Sequence, residues 1–235
     1  MGLPKIDLPL FDIEIPSTGK RVKYRPFTVK EEKILLIAQE SKDIDQIILA
    51  IKQIINNCVI SVDVNKLAMF DLEYMLINIR AQSVNNEIQF SINDPDTKER
   101  IDLTVDISEI RVIHKEDHKQ LIKVNDDVHI KMRYPTINEL SGIIKSIKSK
   151  DKFEDLFNIM ISCIENVIEG DSVLVLKDFS DEEVAEFVNS FTTNQIDQIK
   201  NFFETMPALR YEAKYKNSNG DDKTFIIEGM ETFFI

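Results

Sequence analysis

One stretch of this chain returns 108 positions later, and that return limits the fold more than any other feature. Residues Val22-Lys23-Tyr24-Arg25-Pro26-Phe27-Thr28-Val29-Lys30-Glu31 align without a gap on Ile130-Lys131-Met132-Arg133-Tyr134-Pro135-Thr136-Ile137-Asn138-Glu139. Lys, Arg, Thr and Glu coincide, and most apolar positions exchange for other apolar residues. At the same offset Ile48, Ile51, Ile55 and Val59 fall on Leu156, Ile159, Cys163 and Val167. A period this long is not that of a solenoid, whose units are far shorter. It predicts an internal duplication, two similar halves over residues 1–113 and 114–235.

Local patterns give the halves the same order. Alternation of Phe11, Ile13 and Ile15, then Pro16-Ser17-Thr18-Gly19, then Val22 and Tyr24 predicts a β-hairpin. Thr28 and Glu31 spell a capping box, so a helix is expected over 29–41, with Val29, Ile34, Leu35 and Ala38 on one side. A second helix carries Ile44 to Val59 as a broad apolar stripe, and a third runs from Phe70-Asp71 to Ala81. Strands 87–92 and 100–105 close the half. In the second half, 120–133 is strand-like around Asn125-Asp126-Asp127, and Thr136 with Glu139 repeats the box. A helix is expected to carry Phe153, Leu156, Phe157, Met160, Ile164 and Val167. Val173 to Leu176 reads as a short extra strand. Helices start at Ser180 and Thr193, and strands 209–215 and 223–228 end the chain. The fold class is therefore α+β, each half a β-hairpin, about three helices and a closing hairpin.

Charge and composition exclude several functions. The net charge is −12, and both halves are acidic, with 14 Lys and Arg against 18 Asp and Glu in residues 1–113 and 15 against 23 in the rest. A general phosphate-binding surface is disfavoured, so no nucleic-acid partner is expected. There is no run of about 18 apolar residues, and Met1-Gly2-Leu3-Pro4 reads as neither signal peptide nor lipidation motif, so no membrane partner is expected either. Cys58 and Cys163 lie in apolar patterns and read as buried free thiols. No Gly-rich phosphate loop, Gly-x-Ser-x-Gly or Cys pair is present, and no catalytic residue, cofactor or metal is assigned. One enzymatic alternative follows from His114-Lys115-Glu116-Asp117-His118. On a helix this spacing would put two imidazoles one turn apart, as in a metal-dependent hydrolase. The candidates for partner binding are the basic strand face of Lys20, Arg21, Lys23 and Arg25, and the terminal rings of Phe233 and Phe234.

Several stretches together resemble a known family: Leu3-Pro4-Lys5-Ile6-Asp7, Ile15-Pro16-Ser17-Thr18-Gly19-Lys20, the run from Tyr24 to Leu35, Ile51 to Cys58, Phe70-Asp71-Leu72-Glu73-Tyr74, and Arg80-Ala81-Gln82-Ser83-Val84. They are similar to the baseplate hub subunit and assembly family of T-even-like contractile-tailed bacteriophages, closely in the first half and more loosely in the second. The resemblance implies a non-enzymatic tail assembly protein, a chaperone or component of the central baseplate hub. Its partners would be other hub and tail proteins and the tape-measure protein, and it would act in the host cytoplasm during assembly or remain in the virion baseplate. The resemblance further implies, for some members of that family, Cys pairs in the last hairpin that resemble a zinc ribbon. Here the turn is Asn217-Ser218-Asn219-Gly220, without cysteine.

Overall fold

Residues 6–83, 87–139 and 152–228 are described by the computed structural model of the protein. Alternation in the first segment forms the expected hairpin. β1 (Phe11–Glu14) pairs antiparallel with β2 (Arg21–Tyr24), burying Ile13, Val22 and Tyr24 on one face. Gly19, with φ 67°, closes the turn, its N–H donating to the Ile15 carbonyl at 2.8 Å. Thr28 then caps α1 (Val29–Ser41). The buried face of α1 is Glu31, Leu35 and Ala38 with Ile34 half-buried. Val29, grouped with that face from sequence, is 66% exposed because it lies two residues, roughly 200°, around the helix from Glu31.

Lys42 in the left-handed region ends α1, and the Asp43 carboxylate accepts from the Asp45 N–H at 3.0 Å to start α2 (Ile44–Cys58). The α2 stripe of Ile47, Ile48, Ile51, Ile54 and Ile55 is buried between α1 and α3 (Met69–Ala81), whose Leu72, Met75, Leu76 and Ile79 are also buried. Each such side chain contributes about 1.5–3 kcal/mol by leaving water. β3 (Glu87–Asn93) and β4 (Arg100–Asp106) form the next hairpin, and β5 (Arg111–Ile113) follows.

The second region opens with β6 (Leu121–Lys123) and β7 (Val128–Met132). Helical backbone begins at Ile137, behind Thr136. The expected apolar residues Leu140, Ile143, Ile144 and Ile147 lie outside the described residues. α4 (Lys152–Ser162) does not run on to Val167 as the apolar spacing suggested. Ile164 and Val167 belong instead to β8 (Ile164–Glu169), which pairs with β7 on one side and β9 (Ser172–Val175) on the other. Gly170, at φ 56°, with Asp171 makes the two-residue turn that a hairpin needs and a helix would not. α5 (Asp181–Asn189) and α6 (Thr193–Glu204) complete this region, and their capping boxes at Ser180–Glu183 and Thr192–Gln195 are formed.

The chain divides into two compact units, Met1–Ile113 with Ala208–Ile235, and His114–Pro207. The final hairpin, β10 (Ala208–Lys216) with β11 (Asp222–Glu228), therefore groups with the first unit, not with residues 114–207 as the division at 114–235 expected. The reason is β-pairing: β10 adds to β5, with Leu209 opposite Val112. Within that unit Tyr215 donates to Asp94 at 2.8 Å and Lys223 reaches Asp96 at 2.6 Å, both in the β3–β4 turn. The second unit holds a separate core of Ile122, Ile130, Met132, Cys163, Ile164, Ile199 and Phe202 with their neighbours. The class is α+β, as the sequence implied.

Candidate functional site

A strand-to-helix junction in the first unit brings together Arg25, Thr28 and Glu31, three of the polar residues that the sequence singled out. Arg25 leaves β2 and places its guanidinium against Glu31 in two parallel bonds, Nη1 to Oε2 at 3.2 Å and Nη2 to Oε1 at 3.0 Å. Glu31 also accepts from the Thr28 N–H at 3.0 Å, from the Thr28 hydroxyl, and from Asn57 Nδ2 at 3.3 Å. Its side chain is 1% exposed and that of Arg25 25%. Burial by itself would raise the Glu31 pKa. The bonds from Arg25 and Thr28 outweigh it and hold the carboxyl down at about 2. The Arg25 N–H donates to the Cys58 carbonyl at 2.9 Å, tying the junction to the end of α2.

The second unit builds the same device from the aligned residues. Arg133 binds Glu139 through Nη2 to Oε1 at 2.6 Å and Nη1 to Oε2 at 3.0 Å. Glu139 accepts from the Thr136 N–H at 2.6 Å and hydroxyl at 2.9 Å, and from Ser162 Oγ at 3.3 Å. The Arg133 N–H donates to the Cys163 carbonyl at 2.8 Å. Cys58 thus corresponds to Cys163 and Asn57 to Ser162, which revises the earlier alignment of Ile55 with Cys163. The offset shrinks to 105 because three fewer residues separate Glu139 from Cys163 than Glu31 from Cys58. The triplets Asn57-Cys58-Val59 and Ser162-Cys163-Ile164 carried this signal. Both cysteines are free and buried, and burial pushes both thiols up to about 11.

The stretches that carried the family resemblance meet in the first unit. Asp71, at the start of α3, accepts from the Ser17 N–H at 2.8 Å, the Ser17 hydroxyl at 2.6 Å and the Ala68 N–H at 3.0 Å. Burial keeps its pKa above the ordinary value despite these bonds. The Phe27 N–H donates to Ser83 Oγ at 2.6 Å. These bonds hold the first hairpin, the residue before the cap of α1 and the two ends of α3 together.

Arg25 is consequently part of an internal ion pair and not of an open basic face. Lys20, Arg21 and Lys23 are exposed, but register places Asp12 opposite Lys23 and Glu14 opposite Arg21, so a negative row lies beside the positive one. Phe233 and Phe234 lie outside the described residues.

His114 and His118 are not on a helix but in the link between β5 and β6. His114 is exposed. His118 has Nδ1 3.0 Å from Thr205 Oγ1 and Nε2 3.0 Å from Tyr134 Oη, and its ring packs on Tyr134 and Phe202. The Thr205 hydroxyl donates to the Asn201 carbonyl at 2.7 Å, so it accepts from Nδ1–H, and Nε2 accepts from the tyrosine. Burial first, then His114, lowers the His118 pKa, in keeping with a neutral ring. Both nitrogens are used in packing the second unit. Among the described residues no three His, Cys, Asp or Glu side chains come together as a metal site. At the last turn Asn217 Oδ1 accepts from the N–H groups of Asn219 at 3.1 Å and Asp221 at 2.9 Å.

A feature that sequence reading missed is a cleft of about 360 Å³ in the second unit, between the β7–β9 sheet and α5. It is lined by Val128, Val167, Leu174, Phe179, Val184 and Phe187, with Glu169 and Glu183 at its edge. Part of its wall, Val167 and Glu169, comes from β8, a strand that helical periodicity conceals, so the cleft could not be anticipated.

The molecule is thus a two-unit α+β protein in which the polar residues at the repeated junctions lock strands to helices. A family profile, T4 bacteriophage base plate protein, matches residues 8–235. The chain belongs to that family, and a phage tail baseplate component is the function class it defines. No curated protein and no solved structure matches the chain. Among the described residues no helix is long and apolar enough to cross a membrane.

Proposed function

We propose that the protein acts in forming the central hub of the baseplate, as a non-enzymatic assembly factor that binds other hub and tail proteins, the tape-measure protein among them. The observation that carries this reading is the baseplate family match over residues 8–235, combined with the hub-family motifs at Ser17, Arg25, Glu31, Asp71 and Ser83. The use of the buried and half-buried polar residues supports it: Arg25, Glu31, Asp71 and His118 are spent on packing the units, which leaves surfaces as the means of action. The net charge of −12 favours a partner that is soluble in the host cytoplasm during assembly over a permanent part of the particle. Its two similar strand-to-helix junctions are read as copies of one module.

Infection with phage lacking this gene tests the proposal. Baseplates without a functional hub are the expected outcome, with the wild-type protein present on hub intermediates and depleted from finished particles by mass spectrometry. Normal yields of complete tails without the protein would overturn the assembly role, and stoichiometric retention in particles would make it a structural component.

A further inference from the structure

We propose that the cleft between the β7–β9 sheet and α5 is a docking site for a segment of a partner protein bearing two or three bulky apolar side chains flanked by Lys or Arg. This rests on the reading that the protein works by binding other proteins. The cleft wall is aliphatic and aromatic, and two of its residues remain in water where a filled core would bury them: Leu174 is 38% exposed and Phe179 40%. Its volume, about 360 Å³, lies at the lower end of the range of ligand-holding pockets. It is large enough for a few side chains and too small for a domain surface to enter. On the α5 side Phe187, itself part of the cleft wall, meets Phe191 edge-on at 4.9 Å between ring centres.

Charge identifies the occupant. Residues 164–189, which supply nearly all of the cleft, contain eight carboxylates and one cation, Lys177. Glu169 and Glu183 stand at the edge itself. Glu183 accepts from the Ser180 N–H and hydroxyl, both at 2.9 Å, which fixes it in place and keeps it ionised. An anionic ligand, a nucleic acid or an acidic membrane surface would be repelled. A segment with apolar anchors and basic flanks satisfies both the wall and the edge, the anchors supplying the residence time and the flanks the encounter rate. β9 is also the last strand of its sheet among the described residues, in the order β6-β7-β8-β9, and offers an edge beside the cleft for an extended segment.

The test uses the full chain and a short labelled peptide in which Lys alternates with Leu and Phe, followed by fluorescence anisotropy. One control peptide replaces Leu and Phe by Ser, and another replaces Lys by Glu. The parent peptide is expected to bind about tenfold or more tighter than either control. Val184→Phe, which fills the cleft, and Glu169→Lys, which reverses its exposed edge, should each weaken binding about tenfold. The Glu169→Lys effect should shrink as salt is raised, and the Val184→Phe effect should not. Thermal melts accompany both variants, and Glu169→Lys, at an exposed position, keeps the test valid if Val184→Phe does not fold. Equal binding of the parent and Ser peptides, or wild-type binding by both variants, would overturn the proposal. So would a dimer, seen by sedimentation, that Val184→Phe dissolves, since a second copy would then be the occupant. The same variants are carried into pull-down of the phage's baseplate proteins. If wild-type protein retains them and both variants do so equally, the docking site falls and the functional reading stands. If wild-type protein binds the peptide through the cleft but no baseplate protein, the docking site stands and the functional reading falls.

Discussion

The two strand-to-helix junctions use the same Arg–Glu–Thr set, with the same paired Arg–Glu bonds, but differ in their exposure to water. Glu31 is 1% exposed and Arg25 25%, while Glu139 is 20% exposed and Arg133 35%. A buried ion pair costs a great deal to break because removal of one partner leaves the other uncompensated, whereas a pair reached by solvent is rescued by water. The first junction is therefore a brittle lock and the second a forgiving one. Replacement of a single carboxylate should expose that difference more sharply than any comparison of bond lengths.

The largest effect is expected for Glu31→Ala. It removes both bonds to Arg25, the acceptor for Thr28 at the start of α1, and the contact of Asn57, and should destabilise the first unit by about 3–5 kcal/mol. Glu139→Ala, made on the same bonds in a wetter site, should cost about 1–2 kcal/mol. Urea unfolding with hydrogen exchange to locate the loss measures both. Equal costs would break the comparison.

Acid gives the next effect, and its direction follows from the shift. The Glu31 pKa is held at about 2 against an ordinary 4.5, so folding favours its ionised form. The stabilisation is complete above about pH 4.5 and is lost as the pH falls toward 2. Asp71 opposes it: burial raises its folded pKa, so its contribution improves as it takes up a proton. Glu31→Gln should flatten the acid limb of a stability profile, and Asp71→Asn should steepen it. A profile of Glu31→Gln parallel to wild type below pH 4.5 would refute the assignment.

Much of the first unit was legible because its signals are local. Thr28 and Glu31 are three residues apart, and the α2 stripe repeats every turn, so both could be read without knowing any distant contact. The Arg25–Glu31 pair was not, because it forms across a change from strand to helix, where neither period relates the two side chains. Strand alternation alone puts Arg25 on an open face. β8 is hidden in the sequence because Ile164 and Val167 continue a helical spacing from Met160, although Gly170-Asp171 between two β-branched runs is a hairpin signal. The grouping of β10–β11 with residues 1–113 depends on β5, a three-residue strand too short to leave a pattern.

A smaller effect is expected at the two cysteines, which occupy equivalent places behind the two junctions. Cys58 is 1% exposed and Cys163 not at all. Cys→Ala at either should cost about 1–2 kcal/mol through lost packing, with no loss of partner binding. Here the two junctions should behave alike, because both thiols are equally dry. A markedly larger loss at one site would show that the difference between the junctions extends beyond the ion pairs. Titration with a thiol reagent should find both unreactive until the protein unfolds, as expected from thiols pushed up to about 11.

The smallest effect on stability, and the one closest to function, separates Lys23 from its counterpart Lys131. Lys131 binds Glu165 at 2.8 Å across β7 and β8, in a pair whose side chains are 44% and 42% exposed. Lys131→Glu should cost below about 1 kcal/mol, since exposed pairs contribute little. Lys23 is exposed and forms no ion pair with the described residues, so Lys23→Glu should change stability by less than about 0.5 kcal/mol. If Lys20, Arg21 and Lys23 form a partner-binding stripe, reversing all three should slow association with hub proteins, most at low salt, while leaving the melt unchanged. Lys131→Glu should leave association untouched. The neighbouring Asp12 and Glu14 limit how much field the stripe can project, so the expected slowing is modest, about three- to tenfold. Pull-down at two salt concentrations and stopped-flow mixing read it directly. Equal behaviour of the two lysines would remove β2 as a contact surface and leave the cleft beside α5 as the working face.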